Sequence, residues 1–426
     1  MVILLLILTT ISCLILSYLY IIKVNRIFNH VVAFNFGMFF YMILPLIIGE
    51  TKVLDQYNSL DDFYNIYNGI ETKSIIIYLL FISVLIFTFF WISYRKKSLI
   101  EVNEINAKER DCTLKRKNLL LLGYTLSILC LIYLLFNINH FFKGYTLQYS
   151  GVINRGTFAA ITLIYLAYYL IYVSYDNKIN KNTILFTIIL FILNIALLSL
   201  GTRMYIVSTT LCVLSFFEKP KTYLSKLKII TPSLFIAAII ILVVGAIRSG
   251  IENFSLEVMI INFLIEFLYT SLSLLTFLAN AIFDLINLPI VLLSYLINLI
   301  PSFLFPNKLD FVVQLESTGY PIYSPGGALN LYVDLIVNFG IIGSIGFVGL
   351  LSYCLSYLEE RRQGMPVKII YSFIVSFLFF SIYRDGFASS LIKNILEFSI
   401  IIPICLFFIS SFSIQNFKKK YKEKNK

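Results

Sequence analysis

Residues 184–217 read ILFTIILFILNIALLSLGTRMYIVSTTLCVLSFF, in which two apolar runs flank the short sequence GTR. As helices, the runs 184–200 and 204–217 would measure about 25 Å and 21 Å, less than the ~30 Å thickness of a bilayer's hydrocarbon core. A guanidinium keeps its proton and is costly inside hydrocarbon. We therefore predict a hairpin of two short membrane passes, with Arg203 recessed near the headgroups at its turn.

Apolar runs recur along the whole chain. The composition is 59% hydrophobic and 13% charged, and the mean hydropathy is +0.87. A run of about 20 apolar residues crosses a bilayer, so we predict an all-α polytopic membrane protein with about 11–13 transmembrane helices in one integral membrane domain, residues 1–426. The first run lacks a basic start and a cleavage site, so we interpret it as a retained helix. The predicted spans are 2–22, 27–49, 74–94, 118–136, 157–175, 184–200, 204–217, 229–247, 331–357, 369–382 and 394–414.

The positive charges indicate which loops face the cytoplasm. One set of loops, together with the C-terminal tail, holds 25 of the 34 Lys and Arg residues. The positive-inside rule then places the N-terminus outside and the C-terminus inside, and we expect the cytoplasmic membrane. The net charge of +11 reflects this topology and anionic lipid, and not nucleic-acid binding. These segments are 23–26, 95–117, 176–183, 218–228, 358–368 and 418–426.

The six cysteines bear on redox and metal chemistry. None falls in a predicted outer loop, so no extracellular disulfide is expected. No Cys/His spacing typical of a metal site is present. We expect neither a bound metal nor a cofactor.

Four arginines lie on the outer side of this topology, each at the outer end of a span. The positive-inside bias disfavours such positions, so they call for an explanation. One interpretation is an anion site, because the guanidinium fork matches phosphate oxygens in pairs. The other is that they only reach lipid headgroups, or that Asp385 neutralises its neighbour Arg384. The four are Arg155, Arg203, Arg248 and Arg384.

The longest outer connection, 248–330, contains a polar stripe at helical spacing that begins after Ser255. A helix continuing from there to Pro289 would measure about 51 Å, too long for one upright span. We therefore expect a break, or an amphipathic helix in the interface plane whose stripe faces a polar cavity or water. A transmembrane hairpin within 255–300 is equally compatible with the charges. The stripe consists of Asn262, Glu266, Tyr269, Ser273, Thr276, Asn280, Asp284 and Asn287.

A second polar face lies at the start of the next span. Asn330, Asp334 and Asn338 follow at i, i+4 and i+8 and share one side of a helix. An acid here is costly unless it faces a cavity or a partner, so Asp334 is a site candidate. We interpret the glycines that follow as close helix packing: Gly340, Gly343 and Gly346.

Four motifs, in this order, resemble the Wzy-type oligosaccharide repeat-unit polymerases, which make O-antigen and capsule and are related to the O-antigen ligases. They are LGTRM at the hairpin, GAIRSG opening the long outer segment, YSPGGALNLYVDLIVNFGIIG at its end, and YRDGF near the C-terminus. The resemblance implies a GT-C-like, metal-independent glycosyltransferase. It implies transfer of a growing glycan from undecaprenyl pyrophosphate to a new lipid-linked repeat unit at the outer face.

The resemblance assigns the binding of the pyrophosphate to outer-loop arginines. That role falls on Arg203 and Arg248, and on Arg384 in the RD motif; topology alone adds Arg155. Positive charge at the leaving group would stabilise the transition state. By family analogy, a chain-length regulator is a partner besides the lipid-linked oligosaccharide and the bilayer.

The base that would activate the acceptor hydroxyl remains open at this point. The candidates are His140, which is the only outer histidine, and Asp334, with Asp385, Glu252 and Glu316 as rivals. His30 is expected only to pack or cap. Sugar contacts are expected from Tyr320 and Tyr323, unless these belong to an interfacial aromatic belt, and from the two polar faces. The predicted substrate-binding residues are Arg155, Asp385, Glu252, Glu266, Asn330, Tyr320 and Tyr323.

Two other activities compete with the polymerase. An O-antigen ligase uses the same donor with a lipid A-type acceptor, and no residue here separates the two. A repeat-unit flippase would favour charges at mid-bilayer depth and short loops. The charges concentrate at outer helix ends and one loop is long, so we rank polymerase first, ligase second and flippase third.

Overall fold

The structure is a computed structural model in which every described element of regular structure is helical. No strand occurs among the described residues, in agreement with the all-α prediction. The described residues are 1–95, 116–141, 155–176, 180–200, 203–218, 256–280, 284–289, 291, 295, 318–323, 329–384, 386 and 388–411.

Thirteen helices in this part of the chain define the architecture. They are α1 (Val2–Val24), α2 (His30–Thr51, with a π-helical stretch at Phe39–Ile43), α3 (Asp61–Asn68), α4 (Thr72–Arg95), α5 (Arg116–Phe136), α6 (Arg155–Tyr175), α7 (Lys181–Ser199), α8 (Arg203–Phe217), α9 (Leu256–Asn280), α10 (Leu331–Glu360), α11 (Met365–Leu378), α12 (Ser381–Arg384) and α13 (π-helical Ala388–Ile401 continuing as Ile402–Ser411).

Nine of these described helices are long and apolar enough to cross a membrane, and α8 and α11 are shorter apolar helices. Large apolar side chains such as Leu4, Leu14 and Phe191 also point outward from the bundle. A water-soluble surface would not expose so many of them. The chain is a multi-pass membrane protein, and the predicted span 229–247 lies outside the described residues.

Helix α11 joins two cores. Phe373 and Phe377 face a core built mainly from α5, α6, α7 and α8. Tyr371, Ile374 and Leu378 face a second core built mainly from α1, α2, α4, α9 and α10. Residues three and four apart share a helix face, so one apolar helix serves both sides. The two halves of the bundle therefore pack on a common central helix.

The end of the bundle that is predicted to be cytoplasmic holds a buried polar cluster around His30. The His30 ring lies 3.0 Å from the Tyr371 hydroxyl, 2.9 Å from the Ser93 hydroxyl and 3.3 Å from a carboxylate oxygen of Glu359. The Tyr20 hydroxyl donates to the same carboxylate at 2.7 Å. His30 therefore does more than pack or cap, because it joins five helices, α1, α2, α4, α10 and α11.

Two further contacts hold this end of the bundle together. Arg362, which is buried, donates to the Ser215 carbonyl and, at 3.2 Å, to the Ser215 hydroxyl. The carboxylate of Glu218 accepts the backbone N–H groups of Ile27 and Phe28 at 2.6 and 3.0 Å. The start of α2, the end of α8 and the segment before α11 are all predicted to lie on one side of the membrane, and these contacts bring them together. Which side faces the cytoplasm stays a prediction.

Candidate functional site

At the opposite end of the bundle, an ion pair joins two residues predicted for the site. Arg384 ends α12, and its Nη1 lies 3.1 Å from Oε1 of Glu266 in α9. Their side chains are 35% and 31% exposed. The hydroxyl of Tyr41, in α2, donates to the same Glu266 oxygen at 3.4 Å. Three helices therefore meet at a half-exposed guanidinium–carboxylate pair.

Buried aromatic side chains hold this pair in place. The Tyr383 hydroxyl donates to the Phe34 carbonyl at 2.7 Å, and its ring stacks on Tyr41 with centroids 5.6 Å apart. The Tyr383 ring also lies against Gly37, where any side chain would clash. Tyr41 contacts Phe267 edge to face at 4.6 Å. The aromatic packing fixes α12, and with it the position of the Arg384 backbone.

The start of α8 lies at the same end of the bundle as Arg384. Helix α8 packs along α11, and Nζ of Lys368 lies 4.2 Å from the Phe216 ring centroid. The two helices run antiparallel, because Ser215 near the end of α8 bonds Arg362, which precedes α11. From Phe216, thirteen residues back along α8, about 20 Å, lead to Arg203, and from Lys368, ten residues along α11, about 15 Å, lead to its last residue, Leu378, just before α12. The backbone of Arg203 is therefore level with the helix that carries Arg384.

Helix α9 enters the bundle from this end and stops inside it. The helix ends at Asn280 and Asp284–Pro289 is not helical, so the expected continuous stripe through Asn287 is wrong and the expected break is found. The backbone of this segment pairs with α10: Asn287 N–H donates to Phe339 O at 3.1 Å, and Ile342 N–H donates to Leu285 O at 2.9 Å.

The chain then turns back toward the end at which α9 began. Val291 N–H donates to Oδ1 of Asn338 at 3.1 Å, and the Tyr295 hydroxyl donates to Oδ1 of Asp334 at 3.0 Å. From residue 287 to residue 295, the contacted residues of α10 therefore move from Phe339 back to Asp334, toward the start of α10. Helix α10 itself runs the other way, to Ser352 beside the polar cluster around His30. The chain thus reverses direction within the bundle in a re-entrant form, as a hairpin does, and the helix in the interface plane stays a prediction.

Gly340 permits this turn. Its φ of 73° and ψ of −180° break the helical geometry of α10, a conformation open almost only to glycine. The predicted close helix packing is replaced at Gly340 by close packing against the irregular backbone of Asp284 and Leu285. It is wrong at Gly346, where no described atom lies within 4 Å of the Cβ position.

The polar face formed by Asn330, Asp334 and Asn338 is fully buried, with Asp334 and Asn338 against the re-entrant segment and Asn330 against α9. Oδ1 of Asn330 caps α10 by accepting Tyr332 N–H at 3.0 Å, and Nδ2 donates to the Thr270 carbonyl at 3.3 Å. Asp334 also accepts from Nδ2 of Asn338 at 2.8 Å. These contacts give the face a structural role, because it satisfies irregular backbone at membrane depth. Catalysis by Asp334 stays a prediction.

Replacing Tyr295 by phenylalanine tests that role. A buried carboxylate that loses one hydrogen-bond donor costs roughly 1.5–3 kcal/mol, so we expect a loss of this size in the free energy of unfolding. Hydrogen exchange of the amides in 284–291 should accelerate at the same time. Tyr18→Phe, at an exposed position of α1, is the control and should change neither quantity. Unaltered exchange in Tyr295→Phe would contradict the anchoring role.

The predicted tyrosines Tyr320 and Tyr323 lie in the described segment 318–323 and are half-buried. The Tyr320 ring is 6.0 Å from that of Phe277 in α9. Burial raises the pKa of both phenols, and the nearby charges of Asp284, for Tyr320, and Asp62, for Tyr323, add to this. Both remain neutral hydrogen-bond donors at physiological pH, which suits contact with sugar hydroxyls.

The remaining predicted residues are described in part or not at all. Arg155 and Arg203 are the first residues of α6 and α8, and His140 ends a 3₁₀ turn after α5; their side chains lie outside the described part. The others lie entirely outside it: Arg248, Glu252, Glu316 and Asp385. Sequence reasoning missed Tyr41, because an aromatic residue within an apolar span carries no signal of a polar contact.

Neither a metal nor a disulfide is indicated in the described part. No group of three or more His, Cys, Asp or Glu side chains there is arranged to hold a metal ion. Cys13, Cys130, Cys212, Cys354 and Cys405 are free thiols. Comparisons with models of protein families, with curated proteins and with solved structures find no match to this chain.

Proposed function

We propose that this protein is a membrane glycosyltransferase that polymerises oligosaccharide repeat units linked to undecaprenyl pyrophosphate. The observation that carries the proposal is the placement of Arg384 with Glu266 at one end of the bundle, level with the start of α8 and Arg203. Arginines from separate helices at one membrane boundary suit a diphosphate whose lipid tail stays in the bilayer. The motif order of the sequence supports the same activity.

The chemistry requires little beyond charge and positioning. A glycosyl pyrophosphate is already activated, and its leaving group takes up negative charge as the glycosidic bond breaks. Fixed guanidinium groups stabilise that charge without reorganising. In this proposal Arg203, Arg248 and Arg384 hold the diphosphate, and Arg155 assists. The half-buried tyrosines Tyr320 and Tyr323 contact sugar.

The proposal includes a GT-C-like helical arrangement, the outer face of the cytoplasmic membrane and, by family analogy, a chain-length regulator as partner. The N-terminus is then outside and the C-terminus inside. The buried polar cluster around His30 lies at the cytoplasmic end, away from the reaction.

A flippase for the same lipid is the second candidate, and one observation favours it. The chain break after α9 and the break at Gly340 in α10 contact each other inside the bundle. Discontinuous helices in contact within the membrane are typical of secondary transporters. The ligase differs from the polymerase only in its acceptor, and no described contact favours it.

Reconstitution into liposomes tests the proposal. The purified protein is incubated with undecaprenyl-pyrophosphate repeat units, and product length is read on a gel. A ladder of products is expected. Single transfer to an added lipid A-type acceptor would indicate a ligase instead. Movement of labelled lipid between leaflets without chain extension would indicate a flippase.

Arg203 variants accompany this assay. A ladder that collapses in Arg203→Ala, and largely in Arg203→Lys, would support a forked contact with phosphate. Full-length ladders from both variants would show that Arg203 only anchors the helix at the membrane boundary.

A further inference from the structure

We propose that Glu266 is the resident counter-ion of Arg384 and that the substrate's diphosphate displaces it, which frees its carboxylate to act as the base for the acceptor hydroxyl. This inference rests on the polymerase function and names a catalytic residue for it. It gives one side chain two successive partners in a single turnover.

The surroundings of the Arg384–Glu266 pair point to a function. Glu266 lies on the polar stripe of α9, an otherwise apolar helix, where a carboxylate is costly unless it has a partner or a function. The 3.1 Å contact with Arg384 satisfies it, yet both side chains remain about one-third exposed. The His30–Glu359 pair at the other end differs, because its side chains are only 0% and 7% exposed. A ligand can therefore reach the Arg384–Glu266 pair but not the His30–Glu359 pair.

Carboxylate and phosphate groups can exchange at the Arg384 guanidinium. A carboxylate oxygen and a phosphate oxygen accept the same N–H groups of a guanidinium, so the two anions compete for Arg384. A diphosphate carries more negative charge and offers more acceptor oxygens than one carboxylate. An exposed ion pair contributes little stability, so its displacement requires little free energy.

The freed Glu266 carboxylate remains close to the reacting atoms. Glu266 stays beside the leaving group, because α9 is held by the Tyr41 hydroxyl at Glu266 and, one turn further on, by the Asn330 amide at the Thr270 carbonyl. Once the arginines hold the diphosphate, the reaction still needs a base for the acceptor hydroxyl. That base must lie near both the acceptor and the anomeric carbon of the donor.

The Glu266 carboxylate takes the proton of the acceptor hydroxyl, and the oxygen forms a bond to the anomeric carbon of the donor glycan. The bond from that carbon to the phosphate oxygen breaks, and its electron pair leaves with undecaprenyl pyrophosphate, held by Arg384. The proton on Glu266 returns to water when the product departs.

The test is Glu266→Gln in protein reconstituted into nanodiscs and liposomes. The amide keeps an oxygen that can accept from Arg384 and Tyr41, so the fold should persist, but it carries no negative charge and is not a base. Binding of undecaprenyl pyrophosphate should become about two- to fivefold tighter, the range expected when an exposed ion pair is removed. The maximal rate of polymerisation should fall by about 10²–10⁴-fold, the usual contribution of a general base.

Two further variants complete the design. Glu266→Asp retains a carboxylate and should recover part of the rate. Glu257→Gln, at an exposed position in the first turn of the same helix, is the matched control and should change neither affinity nor rate.

The outcomes separate the inference from the function on which it rests. Tighter binding together with a lost rate supports both roles of Glu266. Wild-type affinity or a wild-type rate in Glu266→Gln, while the wild-type protein forms a ladder, overturns the inference and leaves the polymerase intact. A wild-type protein that neither binds undecaprenyl pyrophosphate nor forms a ladder refutes the polymerase function, and the role of Glu266 with it.

Discussion

Replacing Arg384 by alanine is expected to reduce polymer formation by about 10²–10³-fold, the usual effect of removing one preorganised group that stabilises transition-state charge. The guanidinium has a defined place, because Tyr383 seats α12 on α2 and Glu266 lies 3.1 Å away. Arg384→Lys keeps the charge but loses the planar fork, so it should recover only a small part of the rate. The measurement is the rate of ladder formation in liposomes.

Arg361→Ala provides the control for this experiment. Arg361 follows α10 at the opposite end of the bundle, where its guanidinium lies 3.5 Å from the centroid of the Tyr357 ring. Its removal deletes the same side chain from the other membrane boundary and should leave the ladder unchanged. Equal ladders from Arg384→Ala and the wild type would exclude Arg384 from the site.

The second large effect is expected from Gly340→Ala. A Cβ at this position would lie 2.7 Å from the carbonyl carbon and oxygen of Leu285, and the backbone has a φ of 73°. Overpacking and the strain of a glycine-only conformation together cost roughly 2–5 kcal/mol. We expect a loss of this size in the free energy of unfolding, measured by circular dichroism in mixed micelles. Polymerisation should fall with it, because the re-entrant segment loses its place.

Gly346→Ala, six residues further along α10, is the matched control. No described atom lies within 4 Å of its Cβ position, so alanine should be neutral or stabilise the helix by about 0.5–1 kcal/mol. Equal stability of the two variants would show that the backbone at Gly340 tolerates a side chain, and the described contact with Leu285 would then be wrong.

Sequence patterns located the helices well because hydrophobicity acts locally. The ends of α5, α6, α7 and α8 fall within three residues of the predicted spans, and Arg203 begins α8 as the GTR turn indicated. In a bilayer, backbone groups must find partners within the same segment, so a long apolar run has little choice but to form a helix. Arg155, Arg203 and Arg384 lie at helix ends because a charged side chain is costly within the hydrocarbon layer.

The amino-acid sequence by itself determined that this chain is a helical membrane protein, which residues start and end most of its helices, and which helix ends share a side. Only the tertiary structure decided where α9 stops, that the chain turns back along α10, and that Glu266 meets Arg384. These features depend on contacts between residues distant in sequence, such as Asn287 with Phe339 and Tyr295 with Asp334. A polar stripe shows that one face of a helix needs polar partners. Which residues become those partners depends on how the helices pack, and the periodicity of a single segment does not specify that packing.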